Sequence, residues 1–179
     1  MTAYEQLQQD LDQALREMQT QKTKAANLVG RIAELLKKQG GFPDQAFSYR
    51  ADVNEVRDNA IPYPQLKVDR DNDGAWSVVM DIRIDARGRQ TPTQLPAPTA
   101  GAYSFTYIPL EVKFLQKGAM ELAIEDDTSS RVKLSGVPEL DEQQLAGFCR
   151  SIRNKIESTI RWVATGEGNP ERRMGFHVS

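Results

Sequence analysis

The sequence predicts an α+β fold: a long amino-terminal helix, an antiparallel sheet of about five strands, and a long carboxy-terminal helix packed on the sheet. Three patterns in the 179 residues support this prediction. Apolar residues follow a seven-residue repeat over residues 2–39, alternate with polar residues over 65–136, and return to helical spacing over 139–165. We expect a long amphipathic helix over 1–41, an α+β domain over 42–168 and a polar tail over 169–179.

The first forty residues hold the clearest pattern. Nine of the ten seam positions are apolar over five heptads, which indicates a helix and favours a coiled coil. Before residue 20 the apolar seam is narrow, as suits a partner helix, and after residue 25 it widens, as suits packing on the helix's own domain. Gly40 and Gly41 are expected to end the helix. The two seam positions are occupied by Tyr4, Leu11, Met18, Ala25 and Ile32, and by Leu7, Ala14, Gln21, Leu28 and Leu35.

The seam predicts association with a protein partner or with a second copy of the chain. In a homodimer, charge placement favours antiparallel pairing, in which Asp10 faces Arg31 of the partner subunit and Glu17 faces the partner's Lys24. The helix dipole explains the same charges without a dimer, and the whole helix packing on its own sheet is a further alternative. The candidate partner-binding residues are Leu7, Leu11, Met18, Leu28, Ile32 and Leu35.

A period of two residues marks the strands. In the longest predicted strand, residues 75–86, the even positions from Trp76 to Ile84 are apolar, whereas Ser77, Asp81 and Arg83 are expected to face solvent. Residues 87–102 contain three prolines and are expected to form a loop. Further strands of an antiparallel meander are predicted around Leu110, Val112 and Phe114, around Met120, Leu122 and Ile124, and around Val132 and Leu134.

The last helix presents one apolar face, which we expect to cover the sheet. This order of elements resembles that of helix-grip folds, which often hold apolar ligands, so a ligand-binding domain is an alternative function. Its pocket would lie between the sheet and the carboxy-terminal helix, and would be lined by Trp76, Met80, Phe114, Leu122 and Ile156. The apolar face itself consists of Leu145, Phe148, Cys149, Ile152, Ile156, Ile160 and Val163.

The segment from Asp69 to Gly74 is the sharpest chemical motif. Carboxylates at its first, third and fifth positions, Asp69, Asp71 and Asp73, are typical of calcium loops, in which oxygen ligands surround the cation. Met80, however, takes the twelfth position, where such a loop needs a bidentate glutamate. A polar hairpin turn is therefore the favoured interpretation. No cofactor is expected, and calcium is a weak alternative.

Few residues suit nucleophilic or metal chemistry. The only histidine, His177, lies in the expected tail, and the only cysteine, Cys149, lies on the apolar face of the last helix. Histidine-dependent catalysis and thiolate metal sites are thus disfavoured. Net charge is −2, so no overall basic charge favours binding to nucleic acid. No apolar run reaches the length of a membrane span.

The functional prediction is a non-enzymatic cytoplasmic interaction or assembly protein that acts through its first helix. The cytoplasm is expected because a single cysteine forms no intramolecular disulfide. The ligand-binding domain is the alternative, and an enzyme that uses carboxylates is the third hypothesis.

Overall fold

The computed structural model describes residues 2–51, 54, 68–70, 73–85, 103–124, 127–165 and 176–178. Within these ranges the chain forms a long amino-terminal helix, an antiparallel sheet and a carboxy-terminal helix, which confirms the α+β prediction. The elements are α1 (Ala3–Gly40), β1 (Phe47–Arg50), β2 (Asp69–Arg70), β3 (Trp76–Asp85), β4 (Tyr103–Phe114), β5 (Met120–Ile124), β6 (Asp127–Leu134), α2 (Pro138–Thr165) and β7 (Phe176–Val178), with 3₁₀ helices at Asp44–Ala46 and Gln116–Gly118.

Local signals define both ends of α1. Thr2 accepts a hydrogen bond from the Glu5 N–H, and the Glu5 carboxylate accepts one from the Thr2 N–H, which together form a capping box. At the other end Gly41 adopts φ 68°, and its N–H donates to the Lys37 carbonyl oxygen. Only glycine enters this left-handed conformation without strain, so the predicted end of the helix is confirmed.

The sheet has the strand order β1-β3-β4-β5-β6, and all of its pairs are antiparallel. In its centre Met80 of β3 lies opposite both Tyr49 of β1 and Ile108 of β4. β2 pairs with the start of β3, and β7 pairs with the first part of β4. The alternation of residues 75–86 therefore predicted β3, an interior strand, and the strands after it follow the expected meander. The predicted loop 87–102 and the segment from Ile61 to Pro64 lie outside the described residues.

One hydrophobic core joins both helices to one face of the sheet. Ile32 of α1, Met80 and Leu122 of the sheet, and Phe148 and Ile152 of α2 are all buried in it. This core includes only the second half of α1, because the first buried residue of that helix is Ala25. The sequence boundary expected near residue 41 is therefore crossed by continuous packing.

The opposite face of β3 is less exposed than the alternation predicted. Asp81 was expected to face solvent, but it is fully buried, and Val79 beside it is buried as well. The reason is a bidentate ion pair: Arg50 donates to the Asp81 carboxylate from Nε at 2.6 Å and from Nη2 at 2.8 Å. Period-two reasoning treats a charged residue as a solvent-facing one, and so it missed a charge that is buried with its partner.

Two further differences concern the carboxy-terminal part. Ile160 was expected on the buried face of α2, but it is 38% exposed, whereas Ile152 and Ile156 are buried as predicted. The tail was expected to be polar and frayed, yet Phe176–Val178 forms β7, in which His177 lies opposite Phe105 of β4. Three residues are too short for a period to be visible in the sequence.

Asp141 fastens the connection between β6 and α2. Its Oδ1 accepts hydrogen bonds from the N–H and the hydroxyl of Ser135, at 2.7 and 2.8 Å, and its Oδ2 accepts one from the Gly136 N–H at 2.9 Å. Burial raises the pKa of Asp141, but these hydrogen bonds, with help from the charge of Arg31 on α1, bring the pKa below its ordinary value. The carboxylate thus ties the start of α2 to the loop that follows β6.

Candidate partner-binding surface

The first half of α1 carries an apolar stripe that nothing in the described chain covers. Every residue from Thr2 to Thr20 is exposed. The exposed fraction of the large apolar side chains falls along the helix from 69% at Tyr4 to 38% at Met18. An isolated exposed apolar residue is ordinary, but a row on one face of a helix is typical of an interaction site. The row consists of Tyr4, Leu7, Leu11, Leu15 and Met18, and we call it the exposed stripe.

The exposed stripe lies on the same face of α1 that packs against the domain further along. An α-helix has 3.6 residues per turn, so residues that are 18 apart are separated by about five full turns and point in the same direction. The buried residues Ala25, Val29, Ala33 and Leu36 each lie 18 residues after a member of the stripe. These earlier residues are Leu7, Leu11, Leu15 and Met18, respectively.

Gln21 marks the point where α1 meets its own domain. This residue is the single polar member of the predicted seam, and its Oε1 accepts a hydrogen bond from the Trp76 Nε1 at 3.4 Å. Trp76 in turn carries the Arg70 guanidinium 5.9 Å from its ring centroid, a cation–π contact. Although Gln21 belongs to the predicted seam, it thus contacts the sheet of its own chain.

The six predicted partner-binding residues fall into two groups. Leu7, Leu11 and Met18 belong to the exposed stripe. Leu28 and Ile32 are buried in the core, and Leu35 is partly buried against it. Because the expected antiparallel register pairs Asp10 with the partner's Arg31, each helix would cover Leu28 and Ile32 of the other, which requires α1 to leave its own domain. We therefore correct the register and retain only the first group as a surface for a partner.

Leu15 is the member of the stripe that lies outside the predicted seam, whereas Tyr4 lies in the seam but was not among the predicted partner-binding residues. Leu15 occupies the position next to the seam in the heptad, and it is 49% exposed. The signal that identifies it is its 18-residue distance from Ala33, which is buried. Comparing each residue in the first half of α1 with the residue 18 positions later would therefore have placed Leu15 on the apolar face from the sequence alone.

The charges beside the stripe are mainly acidic. Asp10 and Glu17 flank it, and each accepts a hydrogen bond from a glutamine one turn earlier, Gln6 at 2.9 Å and Gln13 at 3.0 Å. These contacts hold the carboxylates along the helix surface. A partner helix that covers the stripe passes close to both of them.

The calcium candidate begins in β2 and ends before β3, and these two strands pair as antiparallel strands. Asp69 lies in β2 opposite Ser77, and its Oδ1 accepts a hydrogen bond from the Arg70 N–H at 2.9 Å. The Arg70 guanidinium lies so close to the turn that a Cβ on Gly74 would be 3.2 Å from its Nη2. This positive charge disfavours a divalent cation at Asp69 and Asp73. Asp71 lies outside the described residues, and those that are described contain no cluster of three or more metal-ligating side chains.

The residues predicted to line a ligand pocket are part of the core. Trp76, Met80, Leu122 and Ile156 are buried, and Phe114 is partly buried against them. Each of them packs on neighbours within this core.

The buried carboxylates are held in structural contacts. Asp81 pairs with Arg50, and Asp127 pairs with Lys155 of α2. Asp141 accepts its three hydrogen bonds from the loop before α2. Within the described residues these three carboxylates lie on different elements. Asp81 and Asp127 each neutralise a basic side chain, whereas Asp141 accepts hydrogen bonds from neutral donors.

Cys149 lies where α2 meets α1. Its thiol is fully buried and donates a weak hydrogen bond to the Ile32 carbonyl oxygen at 3.7 Å. Burial raises the pKa of the thiol to about 12. A thiol with so high a pKa is a poor nucleophile, so Cys149 acts as a small apolar residue of the core.

No protein-family model, curated protein or solved structure matches this chain. None of the helices in the described part combines the length and apolar content that membrane spanning requires. The surface geometry is therefore the basis for a functional proposal.

Proposed function

We propose that this chain is a non-enzymatic interaction protein of the cytoplasm that forms a homodimer through the first half of α1. The observation that carries the proposal is the exposed stripe, which continues, uncovered, the face that packs on the sheet. Apolar area of this kind is stabilised when a second apolar helix covers it. The single cysteine supports the proposed compartment.

Geometry favours antiparallel pairing over parallel pairing. The domain lies on the stripe face of α1 from Ala25 onward. A parallel partner helix on that face would continue straight into the domain. An antiparallel partner runs the other way, so its own domain lies beyond the start of the first helix. Only the antiparallel arrangement covers both stripes over the length of residues 4–21.

One antiparallel register covers the whole stripe. It places Leu7 against the partner's Met18, and Leu11 against the partner's Ala14, so that a large side chain meets a small one at the centre. Tyr4 then lies beside the partner's Gln21, at the edge of the partner domain. In antiparallel coiled coils such alternating contacts fill the space between the helices.

The same register brings like charges together. Asp10 lies near the partner's Glu17, and the second such pair is related by symmetry. Screening by salt weakens this repulsion, so the proposed dimer becomes tighter as ionic strength rises. A basic partner helix on the same stripe would show the opposite salt dependence, which separates a second copy from a different protein.

The first test is sedimentation equilibrium of the whole chain between micromolar and submillimolar concentrations. We expect the mass to rise from 20.1 kDa toward twice that value. Leu11→Glu adds a charge to the centre of the stripe and should leave a monomer. Its melting temperature should equal that of the wild type at low concentration, where both are monomers, because Leu11 lies outside the core. Gln9→Glu adds the same charge on an exposed position away from the seam, and it should dimerise as the wild type does. A monomer at every concentration and salt level would refute the proposal.

Disulfide cross-linking tests the orientation. In a Cys149→Ser background, Leu7→Cys and Met18→Cys proteins should cross-link to each other in an equimolar mixture. Neither should cross-link with itself, because like positions lie about 11 residues apart along the axis, or about 16 Å. Efficient self-cross-linking of either variant would demonstrate parallel pairing.

A further inference from the structure

A second surface, unrelated to the exposed stripe, lies at the edge of the sheet. β6 is at one end of the strand order, and among the described strands it pairs with β5 alone. An edge strand directs alternate backbone N–H and C=O groups away from its only neighbour, where another strand is able to pair with them. α2 packs against β6, so one side of this helix lies beside the strand edge.

A groove of ≈ 410 Å³ runs between the strand edge and the helix. Its strand side consists of residues 129–133, which follow one another along β6. Its helix side consists of Gln144, Gly147, Phe148 and Ser151, whose spacing places them on one face of α2. A groove with a strand edge on one side and a helix on the other suits an extended peptide, which pairs with the strand and directs alternate side chains against the helix.

Gly147 is the residue of the groove that the chain's own packing does not explain. Glycine is less favourable than alanine inside a helix, so a mid-helix glycine calls for a neighbour that needs the space. A Cβ at this position would meet only the Arg150 Nη2, at 3.9 Å. Among the described residues no close contact therefore requires a glycine here, whereas a backbone laid along the groove would.

The charges around the groove are basic. Arg131 and Lys133 are exposed on β6, and Arg150 is exposed on α2 next to Gly147. Glu121 of β5 is an acidic neighbour of both strand residues: it lies opposite Lys133 in the sheet and 3.4 Å from the Arg131 Nη1, and half of the Arg131 side chain stays exposed in that pair. The floor is apolar, with Phe148 buried and Val132 partly buried. Acidic side chains would meet the rim, and small apolar side chains would meet the floor.

We propose that the groove between β6 and α2 binds an extended acidic segment of a partner protein, which adds as a further strand beside β6. The segment alternates acidic residues with small apolar ones, because successive side chains of a strand point to opposite faces. Basic residues on an edge strand also protect it from unwanted pairing. Binding of an acidic peptide distinguishes a binding site from an edge that is only protected.

The experiment uses the whole chain labelled with ¹⁵N and two capped hexapeptides, Glu-Val-Glu-Val-Glu-Val and Lys-Val-Lys-Val-Lys-Val. The glutamate peptide should shift the amide resonances of residues 129–133 and 144–151 and slow hydrogen exchange in β6. Its affinity should fall as salt rises, because the rim charges are exposed. The lysine peptide should bind at least about tenfold more weakly.

Gly147→Leu fills the groove and should weaken binding of the glutamate peptide by about tenfold or more. The variant is expected to fold, because a Cβ at this position has room and leucine is a better helix former than glycine. Ala146→Leu adds a similar side chain one residue away, outside the groove lining, and should bind as the wild type does. Melting curves verify that both variants are folded. Equal binding of the two peptides, undiminished binding to Gly147→Leu, shifts confined to other elements, or no binding at millimolar peptide would each overturn the proposal.

Discussion

Replacing Asp141 by asparagine tests the connection between the sheet and α2. The carboxylate accepts hydrogen bonds from both donors of Ser135 and from the Gly136 N–H, and it is 3% exposed. In Asp141→Asn one oxygen still accepts the bonds from Ser135, but the amide NH₂ then faces the Gly136 N–H, donor against donor. The substitution therefore removes one charge-assisted hydrogen bond and leaves a donor without an acceptor.

The size of the effect follows from these contacts. A hydrogen bond to a charged group contributes about 1.5–3 kcal/mol, and an acidic residue in the first turn of a helix contributes about 0.3–1 kcal/mol through the dipole. We expect Asp141→Asn to lower the free energy of unfolding by about 2–4 kcal/mol at pH 7. Glu142→Gln changes an exposed acid in the same turn, and it should cost less than about 0.5 kcal/mol.

The pH dependence gives a second measurement of the same contact. The pKa of Asp141 is lowered in the folded chain, so the native state binds its proton less readily than the unfolded state does. Its contribution is complete above the unfolded pKa and is lost as pH falls through the folded pKa. The difference between wild type and Asp141→Asn should thus be constant from pH 5 to 7 and shrink toward pH 2, as measured by urea unfolding. A difference that stays below 0.5 kcal/mol at pH 7, or one that grows on acidification, would contradict this reasoning.

Two more predictions concern α2. Ile156→Ala should cost about 2–5 kcal/mol of unfolding free energy because Ile156 is buried. Ile160→Ala should cost less than about 1 kcal/mol because that side chain is 38% exposed; equal costs in chemical denaturation would place both residues in the core. Cys149 should resist Ellman's reagent at pH 8, since with a pKa of about 12 only roughly one thiol in ten thousand is ionised. It should react when urea unfolds the chain, and rapid labelling of the native protein would show that the thiol is accessible.

The fold was accessible from the sequence wherever a periodic pattern was long. The heptads and the Gly40–Gly41 pair defined α1, and alternation defined β3, because both patterns report which face is buried. Asp81 was wrongly predicted to face solvent, because its polarity does not reveal that Arg50 is buried beside it as an ion-pair partner. β7 was missed because three residues show no period.

The candidate site was accessible only in part. The widening of the apolar stripe after residue 25 coincides with Ala25, the first buried residue of α1, so the sequence did contain the boundary. Leu28 and Ile32 were nevertheless assigned to a partner, because apolar character is the same whether a residue faces its own sheet or another chain. The groove beside β6 depends on strand order, which a pattern of residues along the chain does not report.

Because α1 is continuous, the direction in which the exposed stripe faces is fixed relative to the domain. The helix runs unbroken from Ala3 to Gly40, so the direction of the stripe relative to the sheet is set by the residues between Met18 and Ala25. One residue inserted there would rotate the stripe by about 100° and carry it about 1.5 Å outward, with the core unchanged. Seven inserted residues would restore the direction to within about 20°. The first half of this helix therefore lengthens without loss of alignment only by insertions close to a whole number of turns, such as about 7, 11 or 18 residues.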